Sequence, residues 1–576
     1  MRHRNALRAV IATIAIAAVI AAIVVPLTAG SGGSTEQRHG EPLAMLQEYV
    51  NLLSRPEPTL QTLRSLGVDV VRVQVVWNMI APDAASPTAP AAFDASDPAA
   101  YPQRSWAPYD AVVREAAAEG LKLDFVLTGG APSWAVGQDA PPSQRSTGAW
   151  KPSAAAYGQF VQAVASRYSG SYKPPGVSSP LPAVEFWEIW NEPNWGVSLE
   201  PQMALNPLRI VAARLYRDML DSAWSALQRA GAGHDTILTG GLSPRGITVP
   251  PDTALAAAIN VSSPIGFMQA LYCVDSAYRP LRGAAAIQAG CPTSAAGSGR
   301  FRKAHPGLFD VGGYGIHPYP VSLPPTQADA SGTGTVEFSQ IPQLTSTLDR
   351  IQRVYASNRQ LSVYNTEFGY VTHPPNTNTG YVSPAVAARY INWAEYLTWR
   401  NPRLATTMQY LLSDPAPGPS AFGPGGFATG LVFFNGTPKA TFRAYRMPIF
   451  LPVTRAGPSK SLEVWGAVRP AHYAFLDTHR MQHVEIQFRS GSDVPFRTLR
   501  TVTITDPRGY FDVRVQFPAS GTVRLRWSYP AGDRRLLDPV TPQETTIFSR
   551  NVQVTVQWWK AVPASDKISP RFPKNG

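Results

Sequence analysis

From about residue 59 to residue 412 the chain alternates two hydrophobic patterns. Segments with apolar residues at helical spacing are followed by short, nearly continuous runs of Val, Ile, Leu and aromatic residues. The helical period predicts helices over Thr59–Leu66, Asp110–Glu119, Ala154–Tyr168, Arg209–Ala230, Ile341–Ala356 and Pro384–Arg400. The apolar runs predict strands over Val68–Val76, Leu121–Leu127, Val184–Trp190, Thr236–Gly240, Phe309–Gly315, Leu361–Thr366 and Ala405–Leu411. Strands that are apolar throughout, each separated from the next by a helix, belong to a parallel sheet covered on both faces. An eight-stranded (β/α)8 TIM barrel fits best and a doubly wound open sheet comes second. The missing first strand must fall within Pro42–Leu53, with Met45–Leu52 as the candidate. No glycine-rich phosphate loop follows an early strand, which counts against dinucleotide binding.

Beyond Arg446 the period changes to two. Alternating runs at Ser461–Val468, Val484–Phe488, Val502–Thr505, Phe511–Phe517, Thr522–Trp527, Thr546–Ser549 and Val552–Trp558 follow one another without helices. Turn sequences such as Asp506-Pro507-Arg508-Gly509 separate them, which predicts an antiparallel β-sandwich. The expected organisation is a barrel over 41–445, a sandwich over 446–566 and a basic tail over 567–576.

Composition adds a compartment. Arg2, Arg4 and Arg8 precede an apolar run from Ala9 to Val25 and then a small-residue stretch, the pattern of an export signal. The run is also near the length that spans a bilayer, so residues 1–40 read as a cleaved signal or a membrane anchor. Both place the remainder outside the cytoplasm, extracellular or in the cell envelope. The two cysteines, Cys273 and Cys291, are then expected to close one disulfide. The net charge of +12 is not gathered into one basic block, so nucleic acid is not the expected partner. No metal-ligand spacing occurs, and no cofactor is expected.

In a TIM barrel the polar residues at the C-terminal ends of strands face one mouth. Here they include Asn191 and Glu192 after the fourth strand, His317 and Tyr319 after the sixth and Glu367 after the seventh. Two carboxylates from separate strands are what glycoside hydrolysis requires, one as proton donor and one as nucleophile. Strand alternation would send Asn191 and Glu192 to opposite faces, so the chain must bulge or turn there. Arg72 lies inside an apolar strand and either pairs with Glu188 or orients Glu367. Trp134 and Trp195 stand in loops beyond strand ends, where indoles can stack on sugar rings; Glu185 and Glu200 read as solvated.

The motif Trp190-Asn191-Glu192-Pro193-Asn194 resembles the acid/base signature of glycoside hydrolase clan A, and Thr366-Glu367-Phe368-Gly369 resembles its nucleophile strand. Arg72, His317-Pro318-Tyr319 and the stretch Gly430–Pro438 with Ala444-Tyr445-Arg446 extend the likeness to cellulase-family, family 5-like and family 39-like exported hydrolases of actinobacterial type. The resemblance implies Glu192 as general acid and base, Glu367 as nucleophile, Asn191 as donor to the sugar 2-hydroxyl and Tyr319 as the residue that orients Glu367. It implies a carboxyl separation of about 5–5.5 Å, with Glu367 raising the pKa of Glu192. Many clan members carry a tryptophan at the end of the eighth strand; here Gln409 or Tyr410 takes that place. The expected substrate is a β-linked oligo- or polysaccharide. A glycan-binding envelope protein without turnover and a transglycosylase are the alternatives.

Overall fold

A computed structural model describes residues 41–557, except 207, 247–252, 259, 330–331, 419, 421, 531–539 and 542–543. The expected signal or anchor and the basic tail lie outside these residues. Among the described residues no helix is long and apolar enough to cross a membrane. The chain divides into two compact units, with the boundary between Phe442 and Arg443.

The first unit is an eight-stranded parallel sheet: β1 Leu43–Gln47, β2 Val70–Val76, β3 Lys122–Thr128, β4 Phe186–Ile189, β5 Thr236–Thr239, β6 Gly313–Ile316, β7 Ser362–Asn365 and β8 Thr406–Tyr410. β8 pairs with β1, Leu43 lying opposite Thr406. On the other side the Ala405 N–H donates to the Val363 carbonyl at 2.9 Å, so β7 and β8 meet and the ring closes. The first strand corrects the candidate Met45–Leu52 at both ends: it starts at Leu43 and stops at Gln47, the five residues that pair with β8.

Helices cover the ring where local chemistry starts and stops them. Ser153 caps Ala154–Arg167 through the Ala156 N–H, and Ser383 caps Pro384–Trp399 through the Val386 N–H. Gly120, at φ +70°, ends the helix Gln103–Glu119, a conformation that costs a β-carbon-bearing residue about 1–2 kcal/mol. That helix begins seven residues before the expected Asp110, because Pro108 sits inside it rather than marking its start. Phe309 corrects another expectation: it ends a helical turn, Pro306–Phe309, and β6 opens only at Gly313.

The insertion between β5 and β6 carries the disulfide Cys273–Cys291, with Cα atoms 5.6 Å apart. Arg217, on the helix Ala212–Arg229, donates to Cys273 Sγ at 3.0 Å and to the carbonyls of Leu271, Ala289 and Gly290. The crosslinked part therefore packs on the outer helix layer. Closing an 18-residue separation limits the unfolded chain, and replacing both cysteines by alanine is expected to cost about 3 kcal/mol, read as a lower midpoint in denaturant unfolding.

The second unit holds two sheets. One orders Ile449–Phe450, Ser461–Ala467 and Tyr510–Gln516; the other contains Arg455–Ala456, Val552–Val556, Gly521–Ser528, Gln482–Arg489 and Arg497–Ile504, with Thr546–Phe548 paired to Gly521–Ser528. Gly466 of the first sheet lies against the Leu525 side chain of the second, so the sheets pack face to face. Three expectations need correction. A helix, Ala471–Thr478, interrupts the strands, and Arg455–Ala456 pairs parallel with the last strand. Arg497–Ile504 starts five residues before the expected Val502 because its early residues are mostly exposed and show no apolar alternation. Trp527 is buried against Tyr529.

Candidate active site

The barrel interior above the apolar floor is charged, and Arg72 of β2 is its centre. Its Nε and Nη2 donate to the two oxygens of Glu188 at 2.8 and 3.1 Å. Nη1 donates to Glu367 Oε1 at 2.6 Å and to Gln47, and Nη2 also reaches Asn191 Oδ1 at 2.9 Å. The two roles considered for Arg72 are thus both present: one guanidinium pairs with Glu188 and holds Glu367. The side chains of Arg72 and Glu188 are inaccessible to solvent.

Glu188 also accepts from the Gly241 N–H at 2.8 Å and the Thr366 hydroxyl at 3.3 Å. Asp124 of β3 lies against it, fully buried. Burial and the neighbouring Glu188 push the Asp124 carboxyl well above its ordinary range, against the pull of Arg72. Sequence reasoning missed Asp124, which sits in an apolar run four residues before the strand end.

The turn after β4 explains how adjacent residues share one mouth. The strand stops at Ile189, and Trp190 and Glu192 adopt left-handed φ of +69° and +44° on either side of Asn191. Each such residue costs of order 1–3 kcal/mol and is held by its surroundings. The Glu192 N–H donates to the Gly241 carbonyl at 3.0 Å. The Trp190 ring occupies the space beside Gly129, where a β-carbon would stand 2.2 Å away. Asn194, fully buried, ties the turn to Ser243 and Ser262.

Glu192 and Glu367 meet at His317. Its Nδ1 lies 3.0 Å from Glu192 Oε1 and 3.5 Å from Glu367 Oε2, so those two oxygens are at most about 6.5 Å apart. Burial pushes the Glu192 carboxyl up to about 7; Arg72 pulls it down and Glu188 pushes it up. The expected cause, repulsion from Glu367, is thus replaced by desolvation. Burial lowers His317 to about 4, leaving the ring neutral. Its Nε2 has no partner among the described residues and faces Gly241, where a β-carbon would come within 2.2 Å. A bare lone pair at Nε2 costs less than a stranded N–H, which places the proton on Nδ1, facing the carboxylates.

Tyr319 donates to Glu367 Oε2 at 3.2 Å. Its ring packs edge-on against Tyr410 at 6.2 Å and Phe427 at 5.3 Å, and Tyr410 lies 6.3 Å from Tyr49. Tyr410 therefore supplies the aromatic ring at the end of β8, while Gln409 is buried and donates to the Leu411 and Thr429 carbonyls. Tyr49 and Phe427 were missed because β1 was poorly marked and Phe427 lies in a glycine-rich loop.

The structure brings together Arg72, Asn191, Glu192, His317, Tyr319 and Glu367, and leaves Trp134 apart. Trp134 packs edge-on against Trp77 and Phe93 and donates to the Pro82 carbonyl. Trp195 is half-buried, its backbone bridged to Val261. Among the described residues Trp134 has no hydrogen bond or ring contact with the cluster, whereas the Trp195 N–H donates to the Glu192 carbonyl at 2.9 Å. Glu185 is exposed and pairs with Lys122, as a solvated residue should. Glu200 is 3% exposed, which corrects its reading as solvated. No group of three or more His, Cys, Asp or Glu among the described residues is arranged to hold a metal ion.

No protein-family model matches the chain, and no curated protein matches it. Among solved structures it is similar to a family 39 glycoside hydrolase from the gut symbiont Bacteroides cellulosilyticus WH2, with TM-score 0.45, 14% identity and coverage of 83% of this chain and 81% of that one. It is similar to a glucosidase from Croceicoccus marinus, with TM-score 0.44, 12% identity and coverage of 84% and 96%. It is also similar to an endo-β-1,4-mannanase from Thermotoga petrophila, with TM-score 0.36, 11% identity and coverage of 91% and 99%.

Proposed function

We propose that the protein is an exported glycoside hydrolase that cleaves β-glycosidic bonds with retention of anomeric configuration. The observation that carries this reading is the asymmetric carboxyl pair at His317. One member, Glu192, is buried and protonated up to about pH 7; the other, Glu367, is paired with Arg72. Sharing His317 Nδ1 keeps one oxygen of each carboxyl within about 6.5 Å of the other, a bound that admits the roughly 5–5.5 Å separation of a retaining pair. The disulfide fits an oxidising compartment and supports export.

In the first step a Glu367 oxygen forms a bond to the anomeric carbon while the bond to the leaving oxygen breaks. That oxygen takes the Glu192 proton. In the second step water attacks the anomeric carbon, its proton passes to Glu192 and the ester to Glu367 breaks. Asn191 is set for the sugar: Arg72 has only donors, so Asn191 presents Oδ1 to it and keeps the Nδ2 amide for a substrate hydroxyl. The Nδ1–H of neutral His317 faces Glu367 when Glu192 is protonated and stabilises Glu192 once its proton has left.

The test is to trap the enzyme with an activated 2-fluoro-glycoside and map the adduct. A stable ester on Glu367 and β-configured initial products support the reading; α-configured products from a β-glycoside would sink it. Glu192→Gln should slow hydrolysis of substrates with poor leaving groups about 10²–10⁴-fold and act much less on activated aryl glycosides. It should also remove the alkaline limb of kcat/KM, because the acid form is lost as pH rises through about 7. Stability shares the sign. Glu192 binds its proton more tightly when folded than at its ordinary 4.5, so wild-type stability falls as pH rises from about 4.5 to 7, and the variant lacks that slope.

A further inference from the structure

The charge of the chain forms no run in sequence, yet it is unevenly shared. Residues 443–576 hold 20 Lys and Arg against 10 Asp and Glu, a net +10 of the chain's +12. Part of this excess stands on one sheet face of the second unit. Along Gly521–Ser528 the side chains of Val523, Leu525 and Trp527 are buried, and Leu525 meets Gly466 of the facing sheet. Alternation therefore turns Arg524 and Arg526 to the outer side. Register sets Gln487 opposite Arg524 and Glu485 opposite Arg526, with Arg489 next along the same face.

Arg524 is held there as a rigid fork. Its guanidinium carbon lies 3.8 Å from the ring centroid of Phe496 and 4.0 Å from that of Phe548. Its Nε donates to Gln487 Oε1 at 3.0 Å, which fixes the plane of the group. Its two Nη groups are open to solvent and have no acceptor among the described residues. Arg489 stands over the same Phe496 ring at 4.7 Å, so the two guanidinium carbons are at most about 8.5 Å apart.

The cluster is not neutralised from within. Glu485 already accepts from Arg526 at 2.5 Å, from Thr498 at 2.7 Å and from Gln487 at 3.0 Å. Asp493, on the loop beside Arg489, makes no ion pair with Arg489 or Arg524 among the described residues. Burial and the like charges of Arg489 and Arg526 lower the Arg524 pKa, a repulsion that a bound anion relieves. A planar guanidinium meets a carboxylate through two parallel hydrogen bonds. The Phe496 and Phe548 faces are turned to guanidinium groups, so the face reads a ligand by charge rather than by stacking of bases or neutral sugars.

We propose that this face binds a carboxylate-bearing polysaccharide, a uronate polymer. Arg524 takes one carboxylate through its two Nη groups and Arg489 takes a neighbouring one. The site lies wholly in the second unit and does not rest on the glycosidase reading.

The test is calorimetric titration of the full-length protein with hexagalacturonate, with cellohexaose as neutral control and polyphosphate as a second polyanion. Hexagalacturonate is expected to bind, with an affinity that falls as salt is raised. Arg524→Lys keeps the charge but loses the fork, and should weaken this binding about tenfold. Arg489→Gln should weaken it several-fold, and it decides the matter if Arg524→Lys lowers the unfolding midpoint. Cellohexaose affinity and turnover of aryl β-glycosides are expected to be the same in the wild type and both variants. Absence of hexagalacturonate binding, or equal affinity in the wild type and both variants, would overturn the site. Tighter binding of polyphosphate than of hexagalacturonate would overturn the uronate ligand. Arginine-dependent binding in a protein that turns over no glycoside would keep this site and remove the hydrolase.

Discussion

Glu367→Gln is expected to lower kcat by roughly 10⁴-fold or more while leaving KM within a few-fold. The substitution keeps the shape of the side chain. The amide oxygen can still accept from Arg72 Nη1, now at 2.6 Å from Glu367 Oε1, and Arg72 retains its paired contacts with Glu188. The fold and the sugar contacts of Asn191 therefore persist, and only the attacking charge is lost. Glu367→Ala sharpens the assignment. With the side chain removed, azide can enter the vacated space and attack the same face of the anomeric carbon, giving an α-glycosyl azide from a β-glycoside. In Glu192→Ala the glycosyl ester still forms on Glu367, and azide then gives the β product. Opposite azide products from the two variants would fix which carboxylate attacks. Unchanged activity in Glu367→Gln would exclude it as nucleophile.

The barrel was legible from sequence because its strands are buried on both faces and read as continuous apolar runs, as Val70–Val76 does. β1 was hard to place because five residues flanked by Glu41, Pro42 and Glu48 carry little pattern. Its C-terminal continuation, Tyr49, went unread with it. The carboxyl pair was legible because Asn191-Glu192-Pro193 and Thr366-Glu367 each interrupt an apolar strand at its end. What joins them was not. Only three-dimensional register places Arg72 opposite Gln47 and Asp124, so that Asp124, Glu188, Arg72 and Glu367 form one buried chain. The cause of the Glu192 shift was misread for a related reason: sequence gives charged neighbours but not depth, and depth decides here. The tryptophans illustrate the same limit, since Trp134 beyond a strand end turned out to brace Trp77 and Phe93.

Arg72→Met tests that buried chain, with two readouts of opposite kind. Removing the guanidinium leaves Glu188 buried without its counter-ion, and loss of one partner of a buried pair costs about 3–5 kcal/mol. Denaturant unfolding should show this as a lower midpoint, relieved in Arg72→Met/Glu188→Gln, where the stranded charge is gone. A stability loss alone would fit any core residue. The catalytic signature is the pH profile. Arg72 lowers the Glu192 carboxyl, which sits at about 7 with the guanidinium in place, so without it the alkaline limb of kcat/KM is expected to move to higher pH. An alkaline limb that keeps its position at reduced activity would mean that Arg72 supports the barrel without tuning the acid.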